Sequence, residues 1–322
     1  MTLRVVNRGT QFRIKRGVQS MDLSVEFAGV SFKNPIVTAS GTFGFGREYS
    51  EFYDLAALGG ICSKGLTLRS RLGNKPPRVA ETPLGMLNSV GLQNPGVDDF
   101  IVTELPYLRG FDTVVIANIS GNTEDEYAEM AEKLSEAKVD IIEVNVSCPN
   151  VEAGGMQFGT STDCVAAVTS AVKKRSNVPV MVKLSPNVTD IAEIARAAED
   201  AGADAVSLIN TLLGMRINVE TRRPFLNNNM GGLSGPAVFP VALRMVWQVA
   251  QAVKIPILGM GGVTDSDDAI EMMLAGADLV GVGTACFSDT YAPVNIITGI
   301  SEYLARAGVD SARDLTGKVI IN

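Results

Sequence analysis

The chain has 322 residues, 46% hydrophobic and 20% charged, enough to bury a large core as one big domain or two ordinary ones. Its net charge of −7 argues against nucleic acid as a partner, because a phosphate backbone demands a basic surface. No apolar stretch approaches the roughly 20 residues that cross a bilayer, and the N-terminus lacks the apolar centre of a secretory signal, so a cytoplasmic protein with a small-molecule ligand and no membrane partner is expected.

The absence of histidine removes the commonest general acid/base and sends proton abstraction to cysteine, lysine, tyrosine or a carboxylate. The four cysteines (Cys62, Cys148, Cys164 and Cys286) are scattered, without a CxxC or Cys/His cluster. No metal site and no iron–sulfur cluster of the chain's own is therefore expected, and reduced thiols are the default.

Residues 1–20 carry five basic side chains (Arg4, Arg8, Arg13, Lys15 and Arg16) and no acid, whereas everything after Met21 is acidic overall. This stretch reads as a disordered or loosely attached extension, or else as a targeting or partner-binding arm, in front of a single domain over residues 21–322. From Asn34 onward one pattern repeats: a short β-branched run, a turn rich in Gly, Asn and Ser, then a helical stretch. Strands are predicted at Pro35–Ser40, Gly60–Gly65, Thr113–Ile119, Asp140–Ser147, Pro179–Leu184, Ala205–Asn210, Pro256–Gly261 and Leu279–Thr284. They are nearly continuously apolar and separated by helices such as Glu124–Ala137, Ile191–Ala201 and Val238–Val253, as expected of parallel strands buried on both faces. Eight such units describe an α/β fold of the (β/α)8 TIM-barrel type. A doubly wound open sheet is the alternative, disfavoured because no Gly-x-Gly-x-x-Gly opens the first unit.

Two connections exceed what structure alone requires: Leu68 to Gly96 after the second strand, and Leu212 to Gly235 after the sixth. Both fall on the C-terminal face, where barrel enzymes keep their chemistry, so extended βα loops that shape the site are expected there. Asn145-Val146-Ser147-Cys148-Pro149-Asn150 closes the fourth strand on the same face, which makes Cys148 the first candidate base. Gly259-Met260-Gly261-Gly262 and Gly281-Val282-Gly283-Thr284 end strands seven and eight, where bare backbone N–H groups can approach a phosphate. The rim is otherwise polar: Ser40, Lys64, Asn118, Asn145, Lys183, Asn210 and Thr211 all fall at predicted strand ends. Two lysines there suit an anion, and amides in that number suit a flat heterocycle with carbonyl and imide edges.

Ala39-Ser40-Gly41-Thr42-Phe43-Gly44, the run Asn88 to Gly96, Asn145 to Val151 with Gly154-Gly155 and Phe158-Gly159-Thr160, Lys183 to Asn187, and Asn210-Thr211 together resemble the dihydroorotate dehydrogenases. The resemblance extends from Met21 to the C-terminus. A cysteine at position 148 looks like class 1, since the membrane-associated class 2 enzymes have serine there, and the glycine loops resemble class 1B. A fumarate-using class 1A enzyme, or another FMN-dependent pyrimidine reductase, is the alternative. Pyrimidine-degrading relatives carry an additional ferredoxin-like cysteine array that these residues do not contain.

The resemblance implies FMN and the oxidation of dihydroorotate to orotate in pyrimidine synthesis, with Cys148 taking a proton. It implies that Lys64, Asn88, Ser89, Val90, Gly91, Leu92, Asn145, Asn210 and Thr211 contact substrate. Ser40, Lys64, Gly65, Asn118, Asn145, Lys183 and Ile209 match flavin contacts, with Lys183 beside the ring, and Gly235, Gly261, Gly262, Gly283 and Thr284 match a phosphate cradle. It further implies a homodimer joined by a second subunit carrying FAD and a [2Fe-2S] cluster, a heterotetramer that passes electrons to NAD.

Overall fold

The structure is a computed structural model that describes residues 21–146 and 158–322. The basic N-terminal stretch and Cys148 lie outside the described residues.

The described chain opens with a hairpin, Val25–Phe27 against Val30–Phe32, reversed at Ala28 and Gly29, both at positive φ. Eight strands then follow: β1 (Ile36–Thr38), β2 (Gly60–Cys62), β3 (Val114–Ile119), β4 (Ile141–Asn145), β5 (Val180–Lys183), β6 (Ala205–Leu208), β7 (Ile257–Met260) and β8 (Leu279–Val282). Each pairs in parallel with its sequence neighbours, and β8 pairs with β1, closing the barrel in the order of the chain. All eight strands fall within the predicted ones, and all but β3, which ends at Ile119 as expected, stop earlier, so Ser40, Lys64, Gly65, Asn210, Gly261 and Gly283 stand just beyond the last ladder residues. Positive φ at Gly41 and Gly261 turns the chain out of the pleat there.

The longer helices are α1 (Glu124–Glu136), α2 (Thr162–Arg175), α3 (Ile191–Asp200), α4 (Phe239–Ala250), α5 (Ser266–Ala275) and α6 (Ala292–Ala307). Side-chain caps start three of them: Thr123 accepts from Glu126 N, Asp190 from Ala192 N and Glu193 N, and Asp265 from Asp267 N and Asp268 N. On α1 the buried face is Tyr127, Met130, Ala131 and Leu134, the spacing of an amphipathic helix, each large member contributing roughly 1.5–3 kcal/mol. The first unit departs from the predicted pattern. After β1 the chain makes only short 3₁₀ turns, Tyr49–Glu51 and Leu55–Ala57, because Phe43 and Tyr49 stack within the loop and Leu55 and Leu58 fill the helix layer. Among the described residues no helix is long and apolar enough to cross a membrane, and no group of acids and cysteines is placed to hold a metal.

Two apolar cores result. The larger lies between strands and helices, and the smaller fills the barrel with inward residues of every strand, including Val37, Cys62, Ile116, Ile141, Met181, Ala205, Leu258 and Leu279. Phe27 and Phe32 of the hairpin belong to the inner core, and Phe32 packs against Gly60 at the start of β2. The hairpin thus plugs the N-terminal mouth and leaves the C-terminal one to the site.

The two long connections meet there. Val79–Thr82 and Gly85–Asn88 from the first join Leu212–Gly214 and Gly231–Ser234 from the second in one four-stranded antiparallel sheet, with Gly85–Asn88 paired to Gly231–Ser234. This cover forms one wall of the cavity at the barrel mouth.

Candidate active site

A cavity of about 440 Å³ opens at the C-terminal ends of the strands. Its wall holds every predicted site residue except two: Ser40, Lys64, Gly65, Asn88, Val90, Gly91, Leu92, Asn118, Asn145, Lys183, Ile209, Asn210, Thr211, Gly235, Gly261, Gly262, Gly283 and Thr284. Ser89 is fully buried and off the wall, with no partner for its hydroxyl. Period-two alternation along Gly85–Asn88 explains this, since the residue after an inward Asn88 faces the other way. Cys148 is the other exception; it follows β4 but lies outside the described residues.

Backbone partners hold the rim. The buried phenol of Tyr127 on α1 donates to the Asn145 carbonyl at 2.8 Å, fixing the end of β4 from the helix layer. Ile209 N donates to Met260 O at 2.8 Å, and Asn187 Nδ2 donates to Thr211 O at 3.0 Å, steadying the turn after β6. Asn210 Nδ2 donates to Asn145 Oδ1 at 3.1 Å, joining two amides from separate strands. Lys64 and Lys183 are the cations of the wall, and among the described wall residues no carboxylate accompanies them. The cavity is therefore suited to an anion.

On the far side, glycines admit a close approach. A Cβ on Gly262 (φ +80°) would stand 2.7 Å from Phe239 N and 2.9 Å from Gly235 O, and one on Gly261 (φ +128°) 2.8 Å from the Ala242 Cβ. The backbone N–H groups of Gly262, Val263, Gly283 and Thr284 find no acceptor among the described residues. Thr284 Oγ1 meets Ser234 Oγ at 2.8 Å, tying this cradle to the cover. Four bare donors facing a cavity next to the first turn of α4 make an anion-binding concavity.

Sequence reasoning missed the cover's contributions (Val79, Met86, Leu233 and Ser234) and a carboxylate under the floor. Glu143 is wholly buried in β4, accepts from Asn118 Nδ2, Ser207 Oγ and Cys62 Sγ, and lies 3.8 Å from Lys183 Nζ. The signal was an acid inside the apolar run Ile141-Ile142-Glu143-Val144. Burial and the neighbouring Glu143 carboxylate push the Cys62 thiol well above its ordinary range, and burial pushes Cys286 up to about 12. Neither supplies a thiolate at neutral pH.

Fold and site define a (β/α)8-barrel protein with a cationic, amide-lined cavity and a glycine-floored anion cradle at its C-terminal face. The sequence profile of the family described as dihydroorotate dehydrogenase matches residues 22–304. A protein of Geotalea daltonii described as dihydroorotate dehydrogenase B (NAD(+)), catalytic subunit, is 54% identical over 301 residues, covering 93% of this chain and 99% of its own. Proteins of the same description from a Thermoanaerobacter species and Anoxybacillus flavithermus are each 54% identical, over 302 residues (94% and 100%) and 297 residues (92% and 95%). The chain belongs to the dihydroorotate dehydrogenase family of oxidoreductases.

Proposed function

We propose that the chain is the FMN-binding catalytic subunit of a cytoplasmic, NAD-linked dihydroorotate dehydrogenase, oxidising dihydroorotate to orotate in pyrimidine synthesis. The observation that carries this is the cavity wall, where two lysines, four asparagine amides and a cradle of bare N–H groups converge in a chain so similar to B-type catalytic subunits.

The residues fit FMN. Gly262, Val263, Gly283 and Thr284 offer donors with no acceptor among the described residues to a phosphate, and Gly261, Gly262 and Gly235 let the backbone pack tightly behind them, where a Cβ would strike Ala242, Phe239 and Gly85. Lys183, Ser40, Gly65, Asn118 and Ile209 would line the ring. FMN, when bound, supplies the two-electron acceptor that no side chain can be.

Asn88, Asn145, Asn210 and Thr211 suit the imide edge and carboxylate of the substrate, with Lys64 between substrate and cofactor. Cys148, as its thiolate, would take the proton from carbon 5; the electrons of that bond form the carbon 5–carbon 6 double bond as a hydride leaves carbon 6. Pro149 would restrict the loop that aims the thiol.

An acceptor beyond FMN is expected on a second subunit with FAD and a [2Fe-2S] cluster, docked on a homodimer of this chain as a heterotetramer. Leu213 of the cover, with Met215, Ile217, Val219 and Met230 of the same long connection, are each about half exposed or more, which suits a surface covered by another protein.

Anaerobic titration tests the proposal. Dihydroorotate should bleach the flavin of the purified chain, artificial acceptors should restore it, and NADH should form only with the partner added. Efficient turnover with fumarate, or NAD reduction by this chain alone, would overturn the class. Cys148→Ser should keep FMN yet slow its reduction by about 10²–10⁴-fold, the usual contribution of a positioned base. Flavin reduction at the wild-type rate would remove Cys148 from that role.

A further inference from the structure

Glu143 is the middle residue of β4 and is 0% exposed. A carboxylate there is costly unless partners meet it. Its Oε1 accepts from Ser207 Oγ of β6 at 2.7 Å. Its Oε2 accepts from Asn118 Nδ2 of β3 and from Cys62 Sγ of β2 at 3.2 Å, with Lys183 Nζ of β5 at 3.8 Å. One side chain from β4 therefore meets four other strands directly beneath the cavity. Well-packed apolar residues commonly serve stability as well as a buried ion pair does, so the barrel alone does not call for this carboxylate.

Two of its partners, Asn118 and Lys183, are also wall residues of the cavity. An ionised carboxylate can only accept, so it holds Asn118 with Nδ2 toward Glu143 and Oδ1 toward Gly65 on the wall. That buried Oδ1 has no partner in the structure. The same carboxylate offsets part of the Lys183 charge at short range, where screening by water is weak.

We infer that Glu143 is a positioning residue for the flavin: through Lys183 it sets the reduction potential of bound FMN, and through Asn118 it reserves one acceptor for a donor on the ring. This rests on the FMN reading above.

The test uses Glu143→Gln, which removes the charge at nearly constant shape, and Glu143→Met, which removes charge and hydrogen bonds at similar volume. Wild-type apoprotein is first titrated with FMN by quenching of flavin fluorescence; absence of binding would sink the cofactor reading and this inference together. With binding established, both variants should shift the flavin redox equilibrium toward the reduced form by roughly tenfold, about 30 mV for a two-electron couple, because the Glu143 charge then no longer offsets the positive charge of Lys183 beside the anionic reduced ring. FMN affinity should fall about tenfold in Glu143→Met, where the Asn118 amide can turn, and less in Glu143→Gln, whose amide oxygen still accepts from it. A purely structural role would lower the unfolding midpoint and leave the potential in place. An unchanged potential in the folded Gln variant overturns the inference, as does failure of both variants to fold, which would assign the carboxylate to the barrel.

Discussion

Asn210 Nδ2 donates to Asn145 Oδ1 across 3.1 Å, while Asn210 Oδ1 accepts from the Thr211 backbone N–H at 2.8 Å. Neither amide of Asn210 and Asn145 is oriented alone: the turn after β6 fixes one, and that one fixes the other. The pair should therefore act as a unit on substrate. Asn145→Ala and Asn210→Ala should each raise KM for dihydroorotate, and the double variant should fall short of the product of the two effects by a coupling of roughly 1 kcal/mol. A thermodynamic cycle on KM measures this, and strict additivity would show that the amides bind separately.

The cradle glycines differ in what they tolerate. At Gly262 a side chain meets the Phe239 backbone at 2.7 Å and sits at positive φ, so Gly262→Val should displace the start of α4 as well as exclude FMN. At Gly283 the nearest atom to a Cβ is the Ala39 Cβ at 3.4 Å, an ordinary contact. Gly283→Ala should hence fold as wild type, within about 0.5 kcal/mol, and lose FMN affinity selectively. Absorbance at the flavin band against protein concentration, paired with thermal unfolding, distinguishes the two; full flavin content in Gly283→Ala would place the phosphate elsewhere.

Gly232 carries the cover over the substrate side. A Cβ there would lie 1.9 Å from Thr211 Oγ1 and 2.6 Å from the Thr211 Cβ, so the cover strand could not settle against the turn after β6. Gly232→Ala should raise KM for dihydroorotate by about tenfold or more, the equivalent of 1–3 kcal/mol of overpacking, without releasing FMN. Steady-state kinetics on flavin-replete protein provides the check, and an unchanged KM would mean that Thr211 does not contact substrate.

Cys286 reports on alkaline stability. The unfolded thiol loses its proton near 9.0 and the folded one near 12, burial being the main cause, so between those values the unfolded state has released the proton that the native state still holds. Stability conferred by the neutral buried thiol is complete below pH 9 and falls as pH rises toward 12, by at most about 4 kcal/mol. Urea unfolding from pH 8 to 10.5 should show the decline begin above pH 9 and flatten in Cys286→Ala. Alkylation mapped by mass spectrometry at pH 8 should likewise leave Cys62 and Cys286 unmodified until denaturant is added. Rapid labelling of either in the native protein would contradict their burial.

Much of this was legible in the chain. Eight apolar runs with helical spacers dictated a closed parallel barrel, because strands buried on both faces leave a local pattern that needs no knowledge of distant residues. The rim amides, Lys64, Lys183 and the glycine pairs were legible for a related reason: a barrel puts strand ends on one face whatever the loops do. The first unit was misread as helical, since turns stabilised by the Phe43–Tyr49 stack carry no period.

Contacts between residues distant in the chain were decided only by tertiary structure. That Gly85–Asn88 pairs with Gly231–Ser234, making two long loops into one cover, depends on closure bringing β2 and β6 to opposite sides of one mouth. Glu143 shows the same limit more sharply. Its place in an apolar strand marked it as buried, but alternation along β4 says only that it points inward. Which side chains of β2, β3, β5 and β6 it meets is set by the radius and stagger of the closed barrel, a property of all eight strands at once.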